Sequence, residues 1–321
     1  MDIYVKKAII HQFSPDDTDL YLADKFLNIT PKIEEYLRKK IERVYSDEAR
    51  TGIFEEDNPF LEMISDDLLE TSVVVANRWK EEFVVSENQK TNDLVFIQFS
   101  KEGVDHFAFL RIALRETLTH LGGEVDNPIK LTQNNLPGFG TGADEALVIN
   151  LQSRKYHLIE KRIKYNGTFL NYFSENLLQA QPKISPKKSI KALEKTAQKI
   201  AESFNTDDFQ FQSKVKSAIF NHIEEENKLS PEKLADDLFN DNLTARLSFI
   251  DQVKEAVPEP VTFEEIDASR QLKKFENQKL SLSNGIELIV PNNVYEDAES
   301  VEFILNENGT YSILIKNIED I

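Results

Sequence analysis

Cysteine is absent from this 321-residue chain, methionine occurs twice and tryptophan once. Without thiols there can be no disulfide, thiolate zinc site, iron–sulfur cluster or cysteine nucleophile, and a reducing compartment fits. Histidine is scarce as well. His11, His106, His120, His157 and His222 are the full set, no two stand at i, i+4, and no H-E-x-x-H occurs. A zinc enzyme is therefore not expected. Long apolar runs are missing. No stretch approaches the roughly 18 apolar residues of a membrane span, and Met1–Ile10 lacks a basic segment followed by an apolar one. The expectation is a cytoplasmic protein with no signal peptide and no membrane contact. Repeats and low-complexity tracts are also lacking.

The chemical motifs that could signal catalysis are missing or incomplete. Neither G-x-x-x-x-G-K-[ST] nor G-x-S-x-G is present. Gly138-Phe139-Gly140-Thr141-Gly142 resembles a nucleotide loop in part. It follows a polar loop and leads toward a strand, whereas a phosphate cradle follows a strand and opens a helix, so it reads as a flexible loop. The pairs Asp66-Asp67 and Asp236-Asp237 lack calcium-loop spacing and suit first helical turns. Leu234–Leu238 followed by Leu243 has the outline of a helix-turn-helix. Its second helix would offer Arg246 and Lys254 against Asp251 and Glu255, no net charge for a major groove, so an ordinary helical hairpin is expected. No catalytic residues, no metal site and no cofactor are expected, and the chain does not read as an enzyme.

What is present is a core-forming composition, 40% hydrophobic and 10% aromatic, in about two domains' length. Strands and helices fall in blocks, which indicates an α+β class. Residues 1–165 read as an α+β domain. Strands are expected at Ile3–Phe13, Leu94–Phe99, Phe107–Leu114, Leu147–Leu151 and Tyr156–Tyr165. Thr30-Pro31 caps one helix, a second covers Asn58–Phe83, and Asn134–Gly142 is a loop. Residues 166–257 read as helical, with helices opened by Ser185-Pro186 and Ser230-Pro231 and others over Asp207–Asn227 and Leu243–Val257. Residues 258–321 form a β-rich region whose Ser283-Asn284-Gly285 and Asn306–Gly309 segments mark hairpins.

Charge is the sharpest signal. The chain carries 38 Lys+Arg against 56 Asp+Glu, net −18. Residues 151–200 run the other way, with eleven bases against Glu160, Glu175 and Glu194, net +8, which leaves −26 on the other 271 residues. A polyanion could be held at this island and repelled elsewhere. On a helical wheel from Pro186, Ile190, Leu193, Ala197, Ile200 and Phe204 fall within about 80°. Lys187, Lys188, Lys191, Lys195 and Lys199 occupy an arc of about 120° roughly opposite. Upstream, Arg154, Lys155, Lys161, Arg162 and Lys164 interleave with aromatics. In one continuous strand Tyr156, Arg162 and Lys164 would share a face while Lys155 and Lys161 point the other way. These ten residues are the candidate DNA-binding set. The bland alternatives are a solvated helix face and a charge-protected edge strand.

Several segments also recur in a known order. Ala8–Gln12, Thr30-Pro31, Arg43–Ser46 and Gly52–Phe54 come first. Leu147–Asn150, the basic strand leading to Phe169, Tyr172 and Phe173, and Arg270, Leu272, Lys274-Phe275, Gly285-Ile286 and Ser312–Lys316 follow. In this arrangement the chain resembles the bacterial nucleoid-associated protein family of about 37 kDa typified by YejK/NdpA. The resemblance implies location on the nucleoid, binding of double-stranded DNA, a link to a type II topoisomerase such as topoisomerase IV, and no enzymatic activity. It supplies no residue list for DNA contact. The strong acidity keeps a second reading open: a protein-interaction module that reaches the nucleoid through a basic partner. A homodimer pairing two islands would help an acidic protein hold DNA.

Overall fold

A computed structural model describes residues 2–16, 18–84, 90–120, 129–165, 167–206, 210–263, 265–283, 285–295 and 297–318. The chain divides into two compact units, Met1–Ser185 and Pro186–Ile321.

In unit 1, β1 (Ile3–Ser14) and β2 (Asp19–Tyr21) precede α1 (Pro31–Glu42), and β3 (Arg50–Ile53) follows. Helices α2 (Pro59–Glu62) and α3 (Leu68–Phe83) lead to a long hairpin, β4 (Asn92–Lys101) and β5 (Val104–Ala113). A two-stranded arm, β6 (Arg115–His120) with β7 (Ile129–Asn135), comes next. β8 (Glu145–Asn150), β9 (Lys155–Ile159) and the small pair β10 (Ile163–Tyr165) and β11 (Thr168–Leu170) complete the strands. Seven strands form an antiparallel sheet in the order β2-β1-β4-β5-β8-β9-β3. At the β4–β5 turn Glu102 and Gly103 both adopt left-handed φ, 53° and 82°, the backbone a tight two-residue hairpin loop requires.

The sheet is covered on both faces. On one, α1 contributes Leu37 and Ile41 to a core with Val95, Ile97, Ala108 and Val148. On the other, α3 and Tyr172–Leu178 pack Trp79, Phe83 and Phe173 onto Phe96, Phe109 and Leu147. β4 is consequently buried from Asn92 through Ile97 without alternation, as a strand with two covered faces should be. In β1 the pairing with β4 shifts register between Val5 and Lys7. That bulge changes which parity faces which core. Ile3 and Val5 join the α1 side, yet after it Ala8 takes that side and Ile9 and Phe13 turn to the α3 side.

Two buried polar networks fix unit 1. Arg111 and Glu145 stand opposite each other on β5 and β8. Arg111 Nε donates to Glu145 Oε2 at 2.6 Å and its Nη1 to Asn92 Oδ1 at 2.9 Å. The Tyr172 hydroxyl donates to the same Glu145 oxygen, and Trp79 Nε1 donates to Tyr172 at 3.0 Å. The second network centres on His11. The Ala23 amide donates to Nδ1 at 3.1 Å, so the ring proton sits on Nε2 and is directed at Ser72 Oγ, 3.0 Å away, which in turn donates to the Leu69 carbonyl. Burial pushes the His11 pKa down to about 4. The unfolded chain takes up this proton near pH 6.5 and the folded one only near 4, so stability should fall as pH drops through that window, by about 3 kcal/mol. Acid melts of His11→Gln should show a flatter dependence between pH 6.5 and 4. An identical pH profile would exclude His11 as the source.

Unit 2 begins with α4 (Pro186–Ser203) and α5 (Phe211–Glu226), then β12 (Lys228–Leu229), α6 (Pro231–Phe239), α7 (Leu243–Ala256) and β13 (Val261–Thr262). It ends with α8 (Ser269–Phe275), the hairpin β14 (Asn277–Ser281) and β15 (Glu287–Pro291), the single turn α9 (Asn292–Tyr295), and the hairpin β16 (Val301–Leu305) and β17 (Tyr311–Ile315). Leu193, Ile219, Phe249 and Phe275 belong to its main core, and Leu280, Val290, Tyr295 and Val301 form a small second one. Asn227 ends α5 in left-handed geometry, φ 51°, and Ser230 Oγ caps α6.

The α+β class stands, with an antiparallel main sheet and hairpins at the C-terminal side. Some elements differ from expectation. The single helix expected over Asn58–Phe83 is two, because Asp67 accepts the Leu69 amide at 2.9 Å and Ser65 closes onto Thr71, creating a fresh N-terminus. The strand expected over Tyr156–Tyr165 stops at Ile159, and Glu160 turns aside to Arg50 and Ser174. The loop before β8 starts only after Asn135, because Asn134 and Asn135 belong to β7. The helix expected from Asp207 begins at Phe211, and residues 207–209 lie outside the described part.

Candidate nucleic-acid interface

The α4 helix begins at Pro186, where the missing amide costs nothing. Ser189, Ile190, Leu193, Ala197, Ile200 and Ala201 are buried. Lys187, Lys188, Lys191, Lys195 and Lys199 are all exposed. From Lys187 to Lys199 the ridge runs about 18 Å at 1.5 Å per residue. Among the described residues no carboxylate pairs with Lys188, Lys191 or Lys195. Lys199 Nζ donates to the neutral amide of Gln252 at 3.0 Å, and Lys187 is engaged within the fold. The two acids of the helix are occupied elsewhere. Glu194 lies 3.7 Å from Lys274 on α8, and Glu202 accepts from Gln198 at 3.0 Å.

Beside the ridge, α4 and α5 border a shallow cavity of about 270 Å³ lined by Lys191, Glu194, Lys195, Gln198, Gln212 and Lys216. Lys216 thus reinforces the cationic surface and Lys274 offsets Glu194 beside it, and neither was a candidate from sequence. A helical wheel of α5 would have flagged Lys216. The approach of Lys274 to Glu194 spans 80 positions and leaves no local trace.

The upstream half of the island is arranged differently. Arg154 sits in a left-handed turn before β9, φ 59°, with its guanidinium 3.7 Å from Glu56. Lys161 Nζ is 2.8 Å from Asp144, and Arg162 Nη2 donates to the Phe169 carbonyl at 2.9 Å. Lys155 and Lys164 are exposed and engaged within the fold. Since β9 ends at Ile159, Arg162 and Lys164 do not share a strand face with Tyr156. These five bases belong to unit 1 and the five α4 lysines to unit 2.

The features set aside on sequence can now be placed. The Gly138–Gly142 loop is not slack. The buried Lys40 ammonium donates to the carbonyls of Gly138 at 2.9 Å, Thr141 at 2.5 Å and Pro137 at 3.3 Å. Its carbonyls converge on a cation, the reverse of a phosphate-cradling nest, in which amides converge. Burial and the neighbouring Arg43 and Arg115 push the Lys40 pKa down to about 8. Arg246, the one base in the first turns of α7, is paired with Asp236 at 2.9 Å, which suits a helical hairpin and not a groove-reading helix. The His11–Ser72 contact resembles half of a nucleophile–base pair. Its tautomer is wrong, because an Nε2 that carries the proton cannot take one from serine. Among the described residues no group of three or more His, Asp or Glu could hold a metal, and no helix is long and apolar enough to cross a membrane.

A family model described as nucleoid-associated protein YejK matches residues 9–321. The chain belongs to this family. No match was found among curated proteins. As a nucleoid-associated family member the protein is placed on the bacterial nucleoid, and its exposed lysine helix lies within the matched region.

Proposed function

We propose that this nucleoid-associated protein binds double-stranded DNA directly, without sequence preference and without catalysis, by gripping phosphates along the α4 ridge. Lys188, Lys191 and Lys195 carry the reading. They are exposed on one helical face and, among the described residues, have no carboxylate partner, in a chain whose net charge is −18. An ordinary solvated face in so acidic a protein would be interlaced with glutamates. Lys187 and Lys199 extend the row. Lys155, Lys161, Arg162, Lys164 and Arg154 act as weaker contacts, because several are already committed to the fold. Phosphate contacts position a protein and do not read bases.

Anisotropy titrations of a duplex against salt test this. Lys188→Glu, Lys191→Glu and Lys195→Glu together should lower the slope of log K against log salt by about 2–3, near 0.9 per lost contact. A triple variant that is folded and binds with the wild-type slope would sink the proposal.

The −26 carried outside the island supports a second reading, an acidic interaction module that docks on a basic partner such as a type II topoisomerase. Purified protein that leaves DNA unbound at low salt, yet captures such an enzyme, would favour it. A homodimer setting two α4 ridges on one duplex belongs to the first reading, and it predicts two copies per bound site in sedimentation.

A further inference from the structure

Among the described residues nothing requires the glycines of the Gly138–Gly142 loop to be glycine. None of the three adopts a left-handed φ. A Cβ at Gly138 would meet nothing within 4 Å. At Gly140 and Gly142 it would meet, among the described residues, only the Arg43 side chain, at 4.0 and 3.8 Å. Alanine would therefore fit at each position without strain, and it would cost the chain less conformational entropy on folding. Glycine is otherwise used where another backbone must come very close. Elsewhere in unit 1 the contrast is plain: at Gly52 a Cβ would fall 2.3 Å from the Tyr156 hydroxyl, so that glycine serves the fold itself.

The loop is also anchored to α1 and bordered by cations. Lys40 holds the carbonyls of Gly138 and Thr141 and of the preceding Pro137, the Tyr36 hydroxyl donates to Pro137 at 3.0 Å, and Phe139 meets the Tyr36 ring edge-on at 5.4 Å. Arg43 and Arg115 are exposed, and among the described residues no carboxylate pairs with either. Both guanidiniums lie close enough to depress the Lys40 ammonium. Asp144, which acts on Lys40 in the opposite sense, is already taken by Lys161 and the Ala113 amide. Three positive charges thus surround a preformed surface free of side chains at three positions, and a preformed surface loses little freedom on binding.

We infer that the Gly138–Gly142 loop, with Arg43 and Arg115, is a second phosphate seat on unit 1, against which the sugar–phosphate backbone of DNA packs closely. Guanidinium forks match phosphate oxygens in pairs. The inference rests on direct DNA binding by this chain and adds a contact that the α4 ridge does not supply.

Full-length protein and a duplex of about 30 base pairs test it. Arg43→Ala with Arg115→Ala should lower the salt slope by about two. Gly138→Ala, Gly140→Ala and Gly142→Ala together should weaken binding about tenfold at fixed salt, the scale of one charge-assisted contact, with an unchanged or slightly raised melting temperature. Gly138→Ala alone, where the added methyl meets open space, gives a second test should the triple variant misfold. Wild-type binding by either folded variant overturns the inference. If the lysine variant of α4 loses affinity while these do not, only this second seat falls. If the wild-type protein leaves the duplex unbound at low salt, both fall. If these variants lose affinity and the α4 variant does not, the second seat stands and the ridge is removed.

Discussion

Arg111→Met should destabilise unit 1 by about 3–5 kcal/mol, the usual penalty for stranding one member of a buried ion pair. Glu145 is fully buried, and its Oε1 already lacks a hydrogen-bond partner among the described residues. Removing the guanidinium leaves, among the described residues, a carboxylate with only the Tyr172 hydroxyl to stabilise it and strips Asn92 Oδ1 of the Arg111 donor. Adding Glu145→Gln removes the stranded charge while keeping an acceptor for Tyr172, so the double variant should recover most of the loss. Urea denaturation of the wild type, both single variants and the double measures the coupling. If Arg111→Met costs less than about 1 kcal/mol, or the second substitution adds its cost in full, the pair is not what holds β5 and β8 in register.

Gly52→Ala should cost about 1–3 kcal/mol or more by overpacking. Gly52 stands directly opposite Tyr156, and an added methyl would lie 2.5 Å from the ring carbon bearing the hydroxyl. The ring cannot swing away, because Tyr156 is buried with Phe54 at 4.4 Å, itself stacked on Phe60. Shrinking the obstacle should relieve the strain, so Tyr156→Leu should cost less in the Gly52→Ala background than in the wild type. Thermal melts of the four proteins check this, and strictly additive shifts would contradict it.

Elements announced by local chemistry were legible in the sequence. Thr30 caps α1, and Pro31 and Pro186 stand at the first positions of α1 and α4, effects that act within one turn. The β16–β17 hairpin was legible because Asn306–Gly309 dictates the reversal. The α4 ridge was legible for the same reason, since periodicity alone separates its lysines from its leucine and isoleucines. Non-local contacts carried the rest. The β6–β7 arm escaped notice because it is exposed along most of its length, so burial imposes no alternation on Leu118, Ile129 or Leu131. The strand after Tyr156 looked continuous because Glu160 fits an alternating pattern; only its capture by Arg50 and Ser174, 110 positions upstream and 14 downstream, ends it. Arg43 and Arg115 became candidates only once the glycine loop was seen resting between a buried lysine and open solvent.

The hydrophobic interior beneath α4 is made wholly of residues after Ser185, and the interiors on the two sheet faces wholly of residues before it. Damage to one therefore need not propagate to the other. Heat or denaturant would be expected to melt such a molecule in stages, so a single midpoint would describe neither half. A protein could then lose its sheet to a disabling mutation and still present an intact row of ammonium groups, which makes loss of affinity and loss of structure separate measurements.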